Sequence, residues 1–139
     1  MRAKKTMTAV MLAACALAGT SAVPAAAASV LLPHPGPEGL VWVEEMRGDG
    51  GVASGGAWEG LPTVLTVACE GEGEADGGVR VTMRQQAQVA AFAVDCPVGS
   101  AGVGSVTMEP GVVKSGSFTI DVDASGDDIR WALTVTQPE

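Results

Sequence analysis

Asp121, Asp123, Ser125 and Gly126 follow the spacing that opens a calcium-binding loop, with side-chain oxygens at alternate positions and a glycine at the sharp turn. The position at which such a loop places its bidentate glutamate is Ala132, so only half of the coordination pattern is present. The same residues equally describe the outward face of a strand and the turn after it. Glu70, Glu72, Glu74 and Asp76 make a second run of oxygens, with the composition of a solvated turn. No cofactor is expected beyond this half-match to calcium.

Trp58 and Trp42 are candidates for a different chemistry. A tryptophan face with polar groups beside it stacks on a sugar ring, and Glu59 and Glu44 are the sequence neighbours. Burial in the core competes for both rings, because aromatic residues are scarce here and a core needs them. Catalytic groups are few. The sequence holds one histidine, His34, and no tyrosine. Nucleophilic triads and histidine-based metal sites need partners that are missing. A carboxylate pair for glycoside hydrolysis is the one enzymatic chemistry the composition allows, and a small domain leaves little room for the deep cleft it needs. The expectation is therefore a protein that is not an enzyme, with a small carboxylate-dependent hydrolase as the alternative.

The elements that must position these residues read as strands. In 79–84 the alternation is clean, with Val79, Val81 and Met83 on one side and Arg80, Thr82 and Arg84 on the other. Leu65 and Val67 share a face with Cys69, and Phe92 and Val94 with Cys96, so both cysteines point into an apolar layer. A bond between them closes a loop of about 28 residues, worth roughly 3.6 kcal/mol in the chain-entropy model. Strands two apart in one flat sheet lie too far from each other for a disulfide, so the two cysteine strands belong to facing sheets or to a sharply curled one. Further strands are expected at 40–46, with Leu40, Trp42 and Met46 on one side as an edge, at 106–109, at 117–123, with Phe118, Ile120 and Val122 inward, and at 129–135, with Ile129, Trp131, Leu133 and Val135 on one face. The last two read as a hairpin. Segment 47–62 reads as a long glycine-rich loop carrying Arg47-Gly48-Asp49 and Trp58, and 97–104 as a flexible turn. Trp131 is expected in the core beside the disulfide. About seven short strands in about 110 residues predict an all-β, two-sheet antiparallel sandwich with one disulfide, immunoglobulin-like in outline. No tryptophan lies between the two cysteines, so true immunoglobulin topology is not expected.

Residues 1–28 have the form of a signal peptide. Arg2, Lys4 and Lys5 precede an apolar run, Pro24 breaks it, and Ala26-Ala27-Ala28 offers small residues for cleavage before Ser29. Leu12-Ala13-Ala14-Cys15 also has the form of a lipobox, so lipidation of Cys15 is the alternative to plain secretion. Residues 29–39 are a proline- and glycine-rich segment expected as an exposed arm, 40–137 the sandwich and 138–139 a tail. No later stretch is long and apolar enough for a transmembrane helix. Of eight basic residues three lie in the leader, leaving five against 16 acidic residues and a net charge of −11. Such a domain repels nucleic-acid backbones and anionic membranes.

The Ala-rich leader, TVACEGEGE, VDCP and the terminal IRWALTVTQPE together resemble a broad group of small secreted single-disulfide proteins of high-GC Gram-positive bacteria. The resemblance implies export and a β-sandwich, and it carries no motif of known chemistry. The functional expectation is a non-catalytic extracellular or cell-envelope interaction module whose partner is an extracellular protein or an envelope polymer. Its contact surface is expected on 47–62 around Trp58, with 97–104 secondary. A lipid-anchored surface protein without a discrete site is the further alternative.

Overall fold

The computed structural model describes residues 30–139. The expected signal peptide, Cys15 and Ser29 lie outside the described residues. Eight strands form two antiparallel four-stranded sheets. β1 (Gly39–Arg47), β8 (Ile129–Thr136), β3 (Thr63–Gly71) and β6 (Gly102–Met108) make the first, in that order. β2 (Gly50–Ala57), β7 (Gly116–Ala124), β4 (Gly77–Arg84) and β5 (Gln88–Cys96) make the second. The all-β sandwich read from the alternation is the observed fold. Val79, Val81, Val94, Phe118, Ile120, Trp131 and Leu133 are buried as expected, while Phe92, on edge strand β5, is only half-buried.

The disulfide links Cys69 of β3 to Cys96 of β5 across the two sheets, with Cα atoms 5.1 Å apart. Of the two arrangements left open by the cysteine directions, facing sheets or one sharply curled sheet, the first is observed. In the first sheet Trp131 of β8 is the register partner of Cys69. Disulfide and indole therefore share one end of the core, and both are fully buried. The indole N–H donates to the Gly48 carbonyl at 2.8 Å, which satisfies its polar atom inside the apolar layer.

Four further expectations are corrected. Residues 50–57 are a strand, not part of a loop. The four glycines of GGVASGGA hide it from propensity, yet packing demands at least one of them. A Cβ on Gly50 would stand 2.8 Å from Met46 Cε and 3.0 Å from Trp131 Cζ2. Residues 117–123 and 129–135 do not form a hairpin, since β7 and β8 lie in different sheets. The intervening turn arches between the sheets, because both strands carry a fully apolar inner face and each needs a facing layer. β6 begins at Gly102, so the last three residues of the expected 97–104 turn are ladder. Finally, β1 turns Val41 and Val43 inward and Trp42 outward, the reverse of the expected face. A register shift between Val43 and Met46 then brings Met46 back to the core, which is why an alternating pattern misassigned the strand. β1 is an edge strand, as expected.

In the segment expected as an exposed arm, Val30, Pro33, His34, Pro37 and Glu38 are exposed, Leu31 and Leu32 are half-buried, a 3-10 turn forms at Gly36–Glu38, and Leu32 and His34 meet Trp42 of β1.

Gly50→Ala should lower stability by about 1–3 kcal/mol through overpacking against Met46 and Trp131. Gly55→Ala in the same strand, where an added Cβ meets nothing within 4 Å, should be neutral. Urea midpoints of the two variants check this; equal midpoints would contradict the packing of β2 described here.

Candidate functional site

All eight strands run between two ends of the sandwich, and the ends differ chemically. One end gathers the turns around Asp49, 72–76, 97–101 and 125–128. The other gathers 36–38, 58–62, 85–87, 109–115 and the C-terminal residues.

At the first end two arginines are engaged with three glutamates. Arg130, almost fully buried, donates to Glu70 at 2.7 Å and to Glu45 at 2.9 Å, and lies 3.3 Å from Glu72. Burial pushes its guanidinium pKa down, and the bonds to Glu70 and Glu45 more than reverse that, so the pKa rises. Arg47 pairs with Glu72 and holds the Glu72 carboxyl below its usual range. A general acid needs the opposite shift. The Arg47-Gly48-Asp49 tripeptide is likewise occupied. Gly48 accepts from Trp131 and donates to Ile129, and Asp49 accepts the Ala124 N–H at 2.8 Å.

The half-matched calcium residues lie near this end and are not assembled into a cage. Asp121 and Asp123 are exposed on the outer face of β7, and Asp121 lies 3.8 Å from Arg84. The Ser125 hydroxyl accepts the Gly78 N–H at 3.1 Å. Among the described residues no group of three or more His, Cys, Asp or Glu side chains is placed to hold a metal ion.

The second end is built around Trp58. Its side chain is 61% exposed, yet its backbone is held on both sides by one residue. The Gln137 amide accepts the Trp58 N–H at 2.9 Å and donates to the Trp58 carbonyl at 2.8 Å. The same amide nitrogen reaches the buried Thr63 hydroxyl at 2.9 Å. Gly60 gives the indole room, since a Cβ there would stand 2.6 Å from Trp58 Nε1. Glu59 has its side chain exposed, while its backbone N–H donates to Ser115 Oγ at 3.0 Å and its carbonyl accepts from Gly111 at 2.8 Å. The 58–62 turn and the 109–117 loop are thereby joined.

A second glutamine holds the far side of that loop. Gln85 donates to the Lys114 carbonyl at 2.8 Å and to the Ser117 carbonyl at 3.2 Å, and accepts the Lys114 N–H at 2.9 Å. Between the β4–β5 turn and this loop opens a cleft of about 730 Å³. A smaller one of about 410 Å³, lined in part by Leu40, Leu61 and Gln137, opens beside the Gln137 clasp. Sequence reasoning missed Gln85 and Gln137. Both are polar residues beside turns, and nothing in their local pattern marks a glutamine whose amide is spent on a distant backbone.

Trp42 is not part of this end. It lies on the outer side of β1 with its ring 4.8 Å from that of His34, edge to face, and its N–H directed at the Leu32 carbonyl at 3.4 Å. Its stacking partner is its own chain, and neither Glu44 nor Trp58 contacts it among the described residues' ring and hydrogen-bond pairs.

Two outcomes follow. Gln137→Ala strands the Thr63 hydroxyl and the Trp58 amide and should cost about 1–3 kcal/mol, with a change in Trp58 fluorescence. Glu72→Gln should show pH linkage. Its folded-state pKa lies below the unfolded value, so its stabilisation is complete above the usual carboxylate range and is lost as pH falls through the folded value. The wild type should be more stable than the variant at pH 7, and the difference should vanish in acid; a pH-independent difference would contradict the Arg47 pairing.

No protein-family model matches this chain, and no curated protein matches it.

Proposed function

We propose that this is an exported, non-catalytic interaction module that contacts an extracellular protein or a cell-envelope polymer through the end bearing Trp58. The single observation that carries the reading is the state of that tryptophan. It is the most exposed of the three, and its main chain is clasped by Gln137. Rings displayed on fixed backbone lose little conformational freedom on binding, and they dominate contact energies where they occur. The alternative use of a large aromatic, to fill the core, is met by Trp131.

The carboxylates at the opposite end support the non-catalytic reading. Glu45, Glu70 and Glu72 are each bound to Arg47 or Arg130, and Arg47 holds the Glu72 carboxyl below its usual range, the opposite of what a general acid needs. Export rests on the leader, and intact mass from culture supernatant tests it. A mature chain starting near Ser29 is expected; one starting at Cys15 with acyl mass would show lipid anchoring instead.

The surface itself is tested by Trp58→Ala. Stability should stay within about 0.5 kcal/mol of wild type, since the side chain is solvated. Retention of the domain on an envelope preparation from the producing cells should fall at least tenfold. Acrylamide should quench Trp58 fluorescence in the unbound domain and lose access on binding. Undiminished retention of the variant would overturn the proposal.

A further inference from the structure

The larger cleft has a chemistry unlike the rest of the domain. Its walls include Arg84, Gln86, Lys114, Ser115 and Ser117 over a floor with Phe118, and no carboxylate lines it. This is unexpected in a domain with 16 acidic residues and five basic ones outside the leader. Arg47 and Arg130 are committed to Glu45, Glu70 and Glu72 at the opposite end. Among the described residues Arg84 pairs only with Asp121, at 3.8 Å and with both side chains at least half exposed, an arrangement worth little. Lys114 has no carboxylate within ion-pair distance among the described residues. Two cations whose charge is barely compensated thus face one cleft.

Distance protects this patch from the acidic end. Strands of eight or nine residues separate the two, a span of about 26–30 Å at the usual rise per residue. That is nearly three times the screening length of about 10 Å at 0.1 M salt. Nearer acids are Asp121, 3.8 Å from Arg84, and Glu59 and Glu109, which border the loop; none of the three lines the cleft. The walls are also set before any ligand arrives. Gln85 ties Lys114 and Ser117 to the β4–β5 turn, and Ser115, a wall residue, holds Glu59 and with it the neighbouring Trp58.

We infer that this cleft is an anion subsite adjoining the Trp58 platform, and that the two together take an acidic polysaccharide. Arg84 and Lys114 pair with its negative groups, the Ser115 and Ser117 hydroxyls and the Gln86 amide meet its hydroxyls, and Trp58 stacks on a sugar ring. This deepens the proposed function and rests on Trp58 being a contact surface. An acidic peptide would satisfy the cations and leave the ring without a sugar to stack on. A neutral glycan would do the reverse.

Calorimetric titration of the exported domain with polygalacturonate, dextran and poly-L-glutamate separates these. Polygalacturonate should bind at least tenfold more tightly than either control, and raising salt from 0.05 to 0.3 M should weaken it severalfold. Arg84→Gln with Lys114→Gln should cost at least tenfold for polygalacturonate at an unchanged urea midpoint, because both side chains are solvated and the Gln85 bonds use only the Lys114 backbone. Dextran binding as tightly, or a double variant that binds like wild type, overturns the anion subsite. Poly-L-glutamate binding as tightly, with no effect of Trp58→Ala, overturns the glycan assignment. If Trp58→Ala abolishes envelope retention while the double variant retains fully, the Trp58 surface stands and the anion subsite falls. If the double variant loses polygalacturonate and Trp58→Ala loses neither polygalacturonate nor retention, the cleft acts alone and the joint site proposed here is wrong.

Discussion

The bond between Cys69 and Cys96 is the point at which the two sheets are held to one another, and the rest of the structure depends on it. Six of the seven connections cross between sheets, and only β4 and β5 form a hairpin. Local turns therefore contribute little to bringing the right strands together. A cross-link with a sequence separation of 27 residues is worth roughly 3.5 kcal/mol in the chain-entropy model, against a total of about 5–15 kcal/mol for an ordinary domain. It also places Trp131 beside it, and Trp131 in turn requires glycine at position 50 and a carbonyl at Gly48. One covalent contact thus propagates into the shape of β2 and the turn before it.

With the sheets held there, the two ends are left to serve different purposes. At the disulfide end a buried arginine, Arg130, and its neighbour Arg47 tie Glu45, Glu70 and Glu72 together in an end that stays acidic. At the other end two glutamine side chains do the work that ladder hydrogen bonds do within a sheet. Gln137 continues the pattern past the end of β8 toward Trp58, and Gln85 does so past β4 toward Lys114. Loops held in this way are rigid without being buried, the condition for a surface that displays side chains at low entropic cost.

How much of this was legible in the sequence follows from how local each signal is. Period-two alternation in 79–84 and 117–123 reports burial directly, so both strands and their inward residues were readable. The cysteine pairing followed from which faces the cysteines share. The glycine-rich strand β2 was not readable, because its glycines speak against a strand and the packing reason for Gly50 is a tryptophan some 80 residues away in sequence. β1 was misread because a bulge alters the alternation within the strand. The arch between β7 and β8 was taken for a hairpin because a short polar turn serves either connection. At the candidate site Trp58 was visible as a residue type, and its exposure was not. Lys114 and Arg84 lie 30 positions apart in the sequence, and nothing local signals that they face one cleft.

The central claim is that contact occurs at the Trp58 end and is shared between that ring and the cationic cleft. The most direct measurement is a titration of the 15N-labelled domain with polygalacturonate followed by two-dimensional NMR. The account predicts shifts confined to the Trp58 indole N–H, the 84–87 turn and the backbone amides of 111–119, with 70–76 and 125–128 unmoved. Shifts centred on those acidic turns, or on the outer face of either sheet, would contradict it.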